Sequence, residues 1–258
     1  MKRGAYKTEA VILGSFDYGE SDRILSFYTS DYGKLKGIAK GARRSRKRFV
    51  GNLEPPSHIR LIFFQGSGEL VRVEDAGLID GFNGLKNDIE KFSPACYLLE
   101  LVSEMTREGE TQSTVFGLLA GFLKMLEEGG RVTPFSKGAG YPPEGWVGGI
   151  RDEAVVRFFE IRLLTLLGYL PYLEGCVVCR TPFVNAASGL YFSSEKGGAV
   201  CRRCSYGSDG LLPVMHGTAR FLSTAARLDA GQLGRLKRHQ IGKELKTKRF
   251  LNKMMAAR

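Results

Sequence analysis

Short apolar runs broken by turn residues fill the first eighty or so positions. KTEAVILGSFD, DRILSFYTS, KLKGIAKG, HIRLIFFQ and ELVRVEDAGLID are rich in Val, Ile, Leu, Phe and Tyr. Turn formers separate them at Asp17 to Gly19, Asp31 to Gly33 and Gly66 to Gly68, and Pro55-Pro56 excludes a helix in its gap. Five such runs in this span predict five strands and a small barrel.

After Gly84 the apolar spacing lengthens from the strand period to the helical one. SPACYLLELVSEMTREGE predicts a helix capped by Ser93, with Pro94 at its first position. VFGLLAGFLKMLEEGG predicts another, capped by Thr111 or Ser113 and ended by Gly129-Gly130. Residues 131–149 hold eight glycines and prolines and read as a loop or linker. In DEAVVRFFEIRLLTLLGYLP the apolar positions Val155, Val156, Phe158, Phe159, Ile161, Leu163, Leu164, Leu166 and Leu167 cover nearly every face, which places that helix in a core; Gly168 and Pro171 end it. Further helices are predicted from about Pro213 to Leu228 and from Gly231 to the C-terminus. The fold class is α+β. An N-terminal five-stranded oligonucleotide-binding (OB) barrel, residues 1–81, precedes an α-helical domain, residues 82–258; an SH3-like barrel would use similar strands.

Cysteines add a third element. CVVCRTPFVNAASGLYFSSEKGGAVCRRC holds Cys176-x2-Cys179, 21 intervening residues and Cys201-x2-Cys204. Two such pairs let four thiolates converge on one tetrahedral Zn²⁺, with FVN…GLYFS as a short hairpin between them, in an element at about 175–206. Arg180, Lys196, Arg202 and Arg203 would offset the formal −2 of a four-thiolate zinc. Four cysteines leave no open coordination position, so the expected metal is structural rather than catalytic. Cys96 lies on an apolar helix pattern and is expected in the core.

Charge changes the picture most. Lys and Arg total 38 against 27 Asp and Glu, a formal +11 on 258 residues. Residues 34–48 hold eight basic side chains and no acidic one; residues 227–258 hold ten basic and two acidic, and the rest of the chain sums to −5. Two basic zones on a mildly acidic body point to a directed anionic partner. In KLKGIAK, alternation puts Lys34, Lys36, Ile38 and Lys40 on one face and Leu35, Gly37, Ala39 and Gly41 on the other. Arg43, Arg44, Arg46, Lys47 and Arg48 extend the track into a following loop or short helix. A positive groove with stacking aromatics is how an OB barrel holds a single strand; Phe27, Tyr28, Tyr32 and Phe49 are the aromatics close by in sequence. In the C-terminal stretch the helical period puts Arg235, Arg238, Lys246, Arg249 and Lys253 on one stripe. That stripe suits DNA or an acidic peptide, and a plain solvated face would carry the same pattern.

Several function classes lack their motifs. The chain has no G-x-x-x-x-G-K-[ST] loop, no G-x-S-x-G elbow and no H-E-x-x-H. His58, His216 and His239 are scattered and show no acid–base partner in the sequence, so no catalytic residue is assigned and no enzyme is expected. No apolar stretch reaches the ~18 residues of a membrane span, and the basic start MKRGAYKTEAVILG has too short an apolar run for a secretory signal. The expected location is the cytoplasm, where thiols stay reduced.

The order of these elements resembles the RecO family of bacterial recombination mediators. TEAVILGSFDYGESDRILSFYTSDYGKLKGIAKGARRSR is similar to that family's barrel, RFFEIRLLTLLGYLPYLEGCVVC to the helix entering its zinc element, and IGKELKTKRFL to its C-terminal helix. The resemblance implies an OB domain and a zinc-bearing helical domain. It implies binding of single- and double-stranded DNA, annealing of complementary strands, nucleoid association and partnership with RecR. It further implies assistance to the RecA recombinase on DNA coated by single-strand-binding protein (SSB). The acidic SSB tail would dock on the helical domain, with Arg220, Arg227 and the final helix as candidate contacts. The competing readings are a zinc-stabilised RNA-acting enzyme and a protein–protein adaptor whose basic run is incidental.

Overall fold

The computed structural model describes residues 1–45, 48–49, 51–128, 152–183, 189–207 and 209–227. They divide into two compact units. The first holds the described residues up to Glu128 and a helix as far as Phe159, and the second continues from Glu160.

In the first unit, β1 (Gly4–Tyr18), β2 (Asp22–Thr29), β3 (Gly33–Ala39), β4 (His58–Gln65) and β5 (Val71–Asp80) close into a barrel of order β1-β2-β3-β5-β4, with β4 returning to β1. All pairs are antiparallel except the short β3–β5 contact, Gly37↔Val71 and Ile38↔Arg72. This is the OB connectivity. The inward phase of each strand supplies the core, including Ile12, Leu25, Phe27, Leu35, Leu61 and Phe63. A bulge between Ile12 and Gly14 reverses the phase of β1 partway along.

Three helices follow: α1 (Asn83–Lys86), α2 (Ile89–Met105) and α3 (Ser113–Glu127). The N-cap of α2 is Asp88, not Ser93; its carboxylate accepts from the Glu90 N–H at 3.0 Å. Pro94 therefore sits inside the helix, where it removes the N–H that would have met the Glu90 carbonyl. α3 starts at Ser113, and its N-cap, Gln112, makes no side-chain cap bond, so neither Thr111 nor Ser113 caps it. Ala95, Leu98, Leu99 and Val102 form the buried face of α2 and pack on α3. Cys96, one residue off that stripe, is exposed rather than in the core.

α4 (Asp152–Leu166) buries Val155, Val156, Phe158, Phe159, Ile161, Leu163 and Leu164, as its all-round apolar pattern predicts. Gly168, at φ 77°, closes it: its N–H reaches the Thr165 carbonyl at 3.1 Å, and the Tyr169 N–H reaches that of Leu164 at 2.8 Å. In the second unit, β6 (Leu190–Ser193), β7 (Gly198–Cys201) and β8 (Leu212–Val214) form a sheet of order β7-β6-β8, followed by α5 (His216–Arg227). Pro213 belongs to β8, not to the helix. GLYFS pairs with GAVC, from Leu190↔Cys201 to Ser193↔Gly198; Val184 and Asn185 of the FVN run lie outside the described residues. The predicted loop at 131–149 and the helix from Gly231 lie outside the described residues.

Candidate nucleic-acid interface and metal centre

β3 carries the predicted alternation. Leu35, Gly37 and Ala39 are buried, Lys36 is exposed, Lys34 and Ile38 are half-buried, and Lys40 is exposed just past the strand end. Two of the three lysines have partners in the last turn of α2 or in the connection that follows it. Lys34 Nζ donates to the Ser103 carbonyl at 2.5 Å, and Lys36 Nζ lies 2.7 Å from a Glu108 carboxylate oxygen. The same connection is tied to the backbone of β3, with Gly109 N–H on the Lys34 carbonyl at 3.0 Å. Gly33 (φ 67°) permits this approach, since a Cβ there would lie 2.0 Å from the Glu110 carbonyl oxygen. Hydrogen bonding with Glu108 raises the Lys36 pKa above its ordinary value. The pair is exposed on both sides, so solvent screens it and a phosphate can compete for the ammonium.

The arginine run begins as a single 3₁₀ turn, Ala42–Arg44, seated on the β1–β2 turn. Arg43 N–H donates to the Ser21 carbonyl, its guanidinium reaches the carbonyls of Gly19 and Glu20 at 3.4 Å, and its Nε lies 3.3 Å from Asp17. Arg44 pairs loosely with Glu20 at 3.6 Å. Asp22 accepts from the Gly41 N–H at 2.8 Å, which lowers its carboxyl pKa. Arg48 lies over the Phe49 ring at 5.0 Å. Arg46 and Lys47 lie outside the described residues, as do Arg235, Arg238, Lys246, Arg249 and Lys253. Arg220 is exposed on α5, which ends at Arg227.

The aromatics named from sequence serve the interior instead. Phe27, Tyr28 and Phe49 are buried, and Tyr32 stands edge-on to Tyr6 and Phe63. The exposed rings on this side of the barrel are Phe16 and Tyr18, 58% and 55% exposed at the end of β1. Strict alternation from Ala10 and Ile12 would have sent both inward; the bulge sends them out. His58 also departs from expectation. It is buried, its Nε2 lies 3.0 Å from a Glu9 carboxylate oxygen, and its ring stands edge-on to Phe116. That pair joins β1 and β4 beneath α3.

In the second unit the four cysteines converge. Their sulfurs all lie within 4.8 Å of one another and could hold a metal ion. Cys176 and Cys179 sit in a tight turn in which Cys176 N–H donates to the Thr181 carbonyl at 2.9 Å and Arg180 N–H to that of Cys176 at 2.8 Å. The Val177 N–H pins this turn to Ala199 in β7. Cys201 ends β7, its N–H 3.4 Å from Cys176 Sγ, and Cys204 follows in the 3₁₀ turn Arg202–Ser205. Crowding splits the acidities of the thiols. Hydrogen bonding with Thr181 brings Cys179 down to about 6, and Cys201 pushes Cys204 up to about 12. Arg180, Arg202 and Arg203, beside the cysteines in sequence, are exposed; Lys196 is exposed too, in the β6–β7 turn at the end of the hairpin away from Cys201.

Residues 1–82 match the family model "Recombination protein O N terminal", and residues 86–136 and 148–256 match "Recombination protein O C terminal". The chain belongs to the RecO family. It is 32% identical to a DNA repair protein RecO of Syntrophus aciditrophicus, with 98% of this chain and 97% of that protein covered. It is 31% identical to that of Myxococcus xanthus (95% and 96% covered) and 36% identical to that of Pelobacter propionicus (77% and 72% covered). The RecO match assigns the barrel and the helical region to one protein type, so the SH3-like alternative falls away. No helix among the described residues is long and apolar enough to cross a membrane.

Proposed function

We propose that this RecO-family chain is a non-enzymatic recombination mediator of DNA repair, working in the cytoplasm on the nucleoid. The barrel, residues 1–81, binds single- and double-stranded DNA and anneals complementary strands. The helical region, residues 82–258, engages RecR and the acidic tail of SSB, and thereby helps RecA load onto SSB-coated DNA. One observation carries the DNA part: the outward phase of β3 presents Lys34, Lys36 and Lys40 in a row that continues into Arg43 and Arg44. Annealing requires two polyanions to approach, and such a track neutralises the backbone without reading sequence. Arg46, Lys47 and Arg48 would lengthen it. Arg235, Arg238, Lys246, Arg249 and Lys253 would give a second anionic contact, for DNA or the SSB tail.

The metal we assign to the four cysteines is a structural Zn²⁺. A tetrahedral site with Zn–S of ~2.3 Å has sulfurs roughly 3.8 Å apart, and Cys179 Sγ to Cys201 Sγ is 3.8 Å. A disulfide would need about 2 Å. Cys176, Cys179, Cys201 and Cys204 fill all four positions, so the ion supplies rigidity. Backbone N–H donation to Cys176 Sγ stabilises a thiolate there.

The test is simultaneous charge reversal of Lys34, Lys36, Lys40 and Arg43 to Glu. Binding to a labelled single-strand oligonucleotide should weaken, and its log–log salt slope should flatten by up to roughly 2.8, at ~0.7 per lost phosphate contact. Unchanged affinity and slope would refute the track and favour the adaptor reading.

A further inference from the structure

Five described cations of the basic track are matched by oxygens of the chain itself. Lys34 Nζ lies on the Ser103 carbonyl, Lys36 Nζ on the Glu108 carboxylate, Arg43 Nε on Asp17 and Arg44 loosely on Glu20, while Lys40 acts on Asp22. Three of these partners are built into the fold. The Ser103 carbonyl belongs to the last turn of α2, where helical N–H donors run out and Lys34 supplies one. Asp17 is shared by Arg23 and Arg43, and Asp22 accepts from the Gly41 N–H and Ser21. Glu20 stands 3.6 Å from Arg44 on the β1–β2 turn beside it. Glu108 is different. It reaches the track from the connection between α2 and α3, and it lies 2.7 Å from Lys36.

The connection is laid along β3. Among the described residues β3 meets β5 at Gly37 and Ile38 alone, which leaves the edge of its first half open. A parallel bridge, Lys34↔Glu108, takes that edge. The Gly109 N–H donates to the Lys34 carbonyl at 3.0 Å, the Glu110 carbonyl packs against Gly33, and the Gln112 carbonyl accepts from the Tyr28 hydroxyl at 3.4 Å. Backbone contacts thus hold the segment on both sides of Glu108. The Glu108 carboxylate itself is not held in a buried pocket: its side chain is 45% exposed and that of Lys36 53%.

We propose that Glu108 is a tethered stand-in for a DNA phosphate, an autoinhibitory carboxylate that occupies Lys36 until a strand displaces it. The proposal rests on the DNA-binding reading above and adds to it the element that limits the grip. A carboxylate oxygen and a phosphate oxygen accept from an ammonium in the same way. Tethering keeps the competitor beside Lys36 at high effective concentration. With its backbone anchored, the carboxylate leaves Lys36 by side-chain rotation, and the exposed pair is cheap to open. Residues 104–110 hold Glu104, Glu108, Glu110 and Arg107, a sum of −2, and Glu69 adds a weaker attraction on Lys36. An incoming strand therefore meets repulsion there as well as a filled site, so the strand is released as readily as it is taken.

The experiment measures single-strand oligonucleotide affinity at low salt, where exposed charges act most strongly. Glu108→Gln should tighten binding roughly 2- to 5-fold, the range of an exposed ion pair. Glu110→Gln removes an equal charge two residues away and should leave affinity within about 1.5-fold, because that carboxylate does not fill a lysine of the track. In a Lys36→Gln background the gain from Glu108→Gln should vanish, since the cation it competes for is gone. Unchanged or weaker binding by Glu108→Gln overturns the proposal. So does an equal gain from Glu110→Gln, or a gain that persists without Lys36; both would mark bulk charge rather than competition for one site. If the Lys34, Lys36, Lys40 and Arg43 reversal weakens DNA binding while Glu108→Gln changes nothing, only the autoinhibitory contact fails. If neither matters, the DNA reading fails with it.

Discussion

The barrel and the cysteine module are both small sheets, and they are fixed in different ways. The barrel has five strands, the longest of 15 residues, closed so that β4 returns to β1 around buried Phe27, Leu61 and Phe63. The module's three strands have four, four and three residues. Strands that short cannot enclose a core of their own, and small elements of this size need a staple. Beside a few buried apolar side chains, Leu190, Phe192 and Val200 among them, the module brings four cysteine sulfurs within 4.8 Å of one another. A closed hydrogen-bonded sheet tolerates variation at its rim, where the lysines and exposed rings sit. A sheet fixed by a metal at the four cysteines would depend on four atoms. The proposed DNA track can therefore be spread along the barrel surface, whereas the proposed metal would tie the Cys176–Cys179 turn to the end of β7.

The largest expected effect tests that contrast directly. Apparent binding free energies of structural zinc in finger peptides reach roughly 10–16 kcal/mol near neutral pH, and in such modules binding energy is folding energy. Cys176→Ser with Cys201→Ser should therefore abolish metal retention and amide protection across β6, β7 and β8. Protection of β1 to β5 should persist. Metal analysis and hydrogen exchange read the two halves separately. A metal content near zero in the unsubstituted protein with its thiols reduced would remove the four-cysteine site altogether.

A converse break lies in the barrel. Phe63 is fully buried, stacked at 5.4 Å on Tyr6 and edge-on to Tyr32. Phe63→Ala leaves a cavity and should cost about 3–5 kcal/mol, visible as a lower urea midpoint for the barrel amides with metal content unchanged. Loss of metal in this variant would show that the two sheets are not fixed independently.

The same contrast explains what the sequence disclosed. Inward Val, Leu and Phe at period two exposed all five strands, and the paired CxxC spacing exposed the cluster, because both signals are local and obligatory. The β3 lysine face was legible for the same reason. Phe16 and Tyr18 were not, since a single bulged residue inverts the phase and leaves no mark in composition. The partners of Lys34 and Lys36 were hidden as well, because Ser103 and Glu108 are about seventy residues away in sequence. His58 looked solitary because Glu9 meets it only through the β1–β4 pairing. Local rules gave the wrong start for α2, too: Ser-Pro before an apolar run imitates a helix N-terminus, and Asp88 was the residue placed to do the work.

The smallest expected effect turns on that cap. Asp88 sits in extended backbone (φ −132°, ψ 107°) and accepts from Glu90, satisfying one of the free N–H groups at the start of α2. Ser93, already inside the helix, has no such group to satisfy. Asp88→Ala should thus lower stability by about 1 kcal/mol, and Ser93→Ala should change it by less than about 0.5 kcal/mol, as exposed substitutions away from special features usually do. Urea unfolding followed on α2 amides distinguishes the two. Because α2 packs on α3 and β1, the Asp88→Ala loss should appear in barrel-unit amides and leave metal content unaltered. A larger cost for Ser93→Ala than for Asp88→Ala would restore the N-terminus that the sequence suggests.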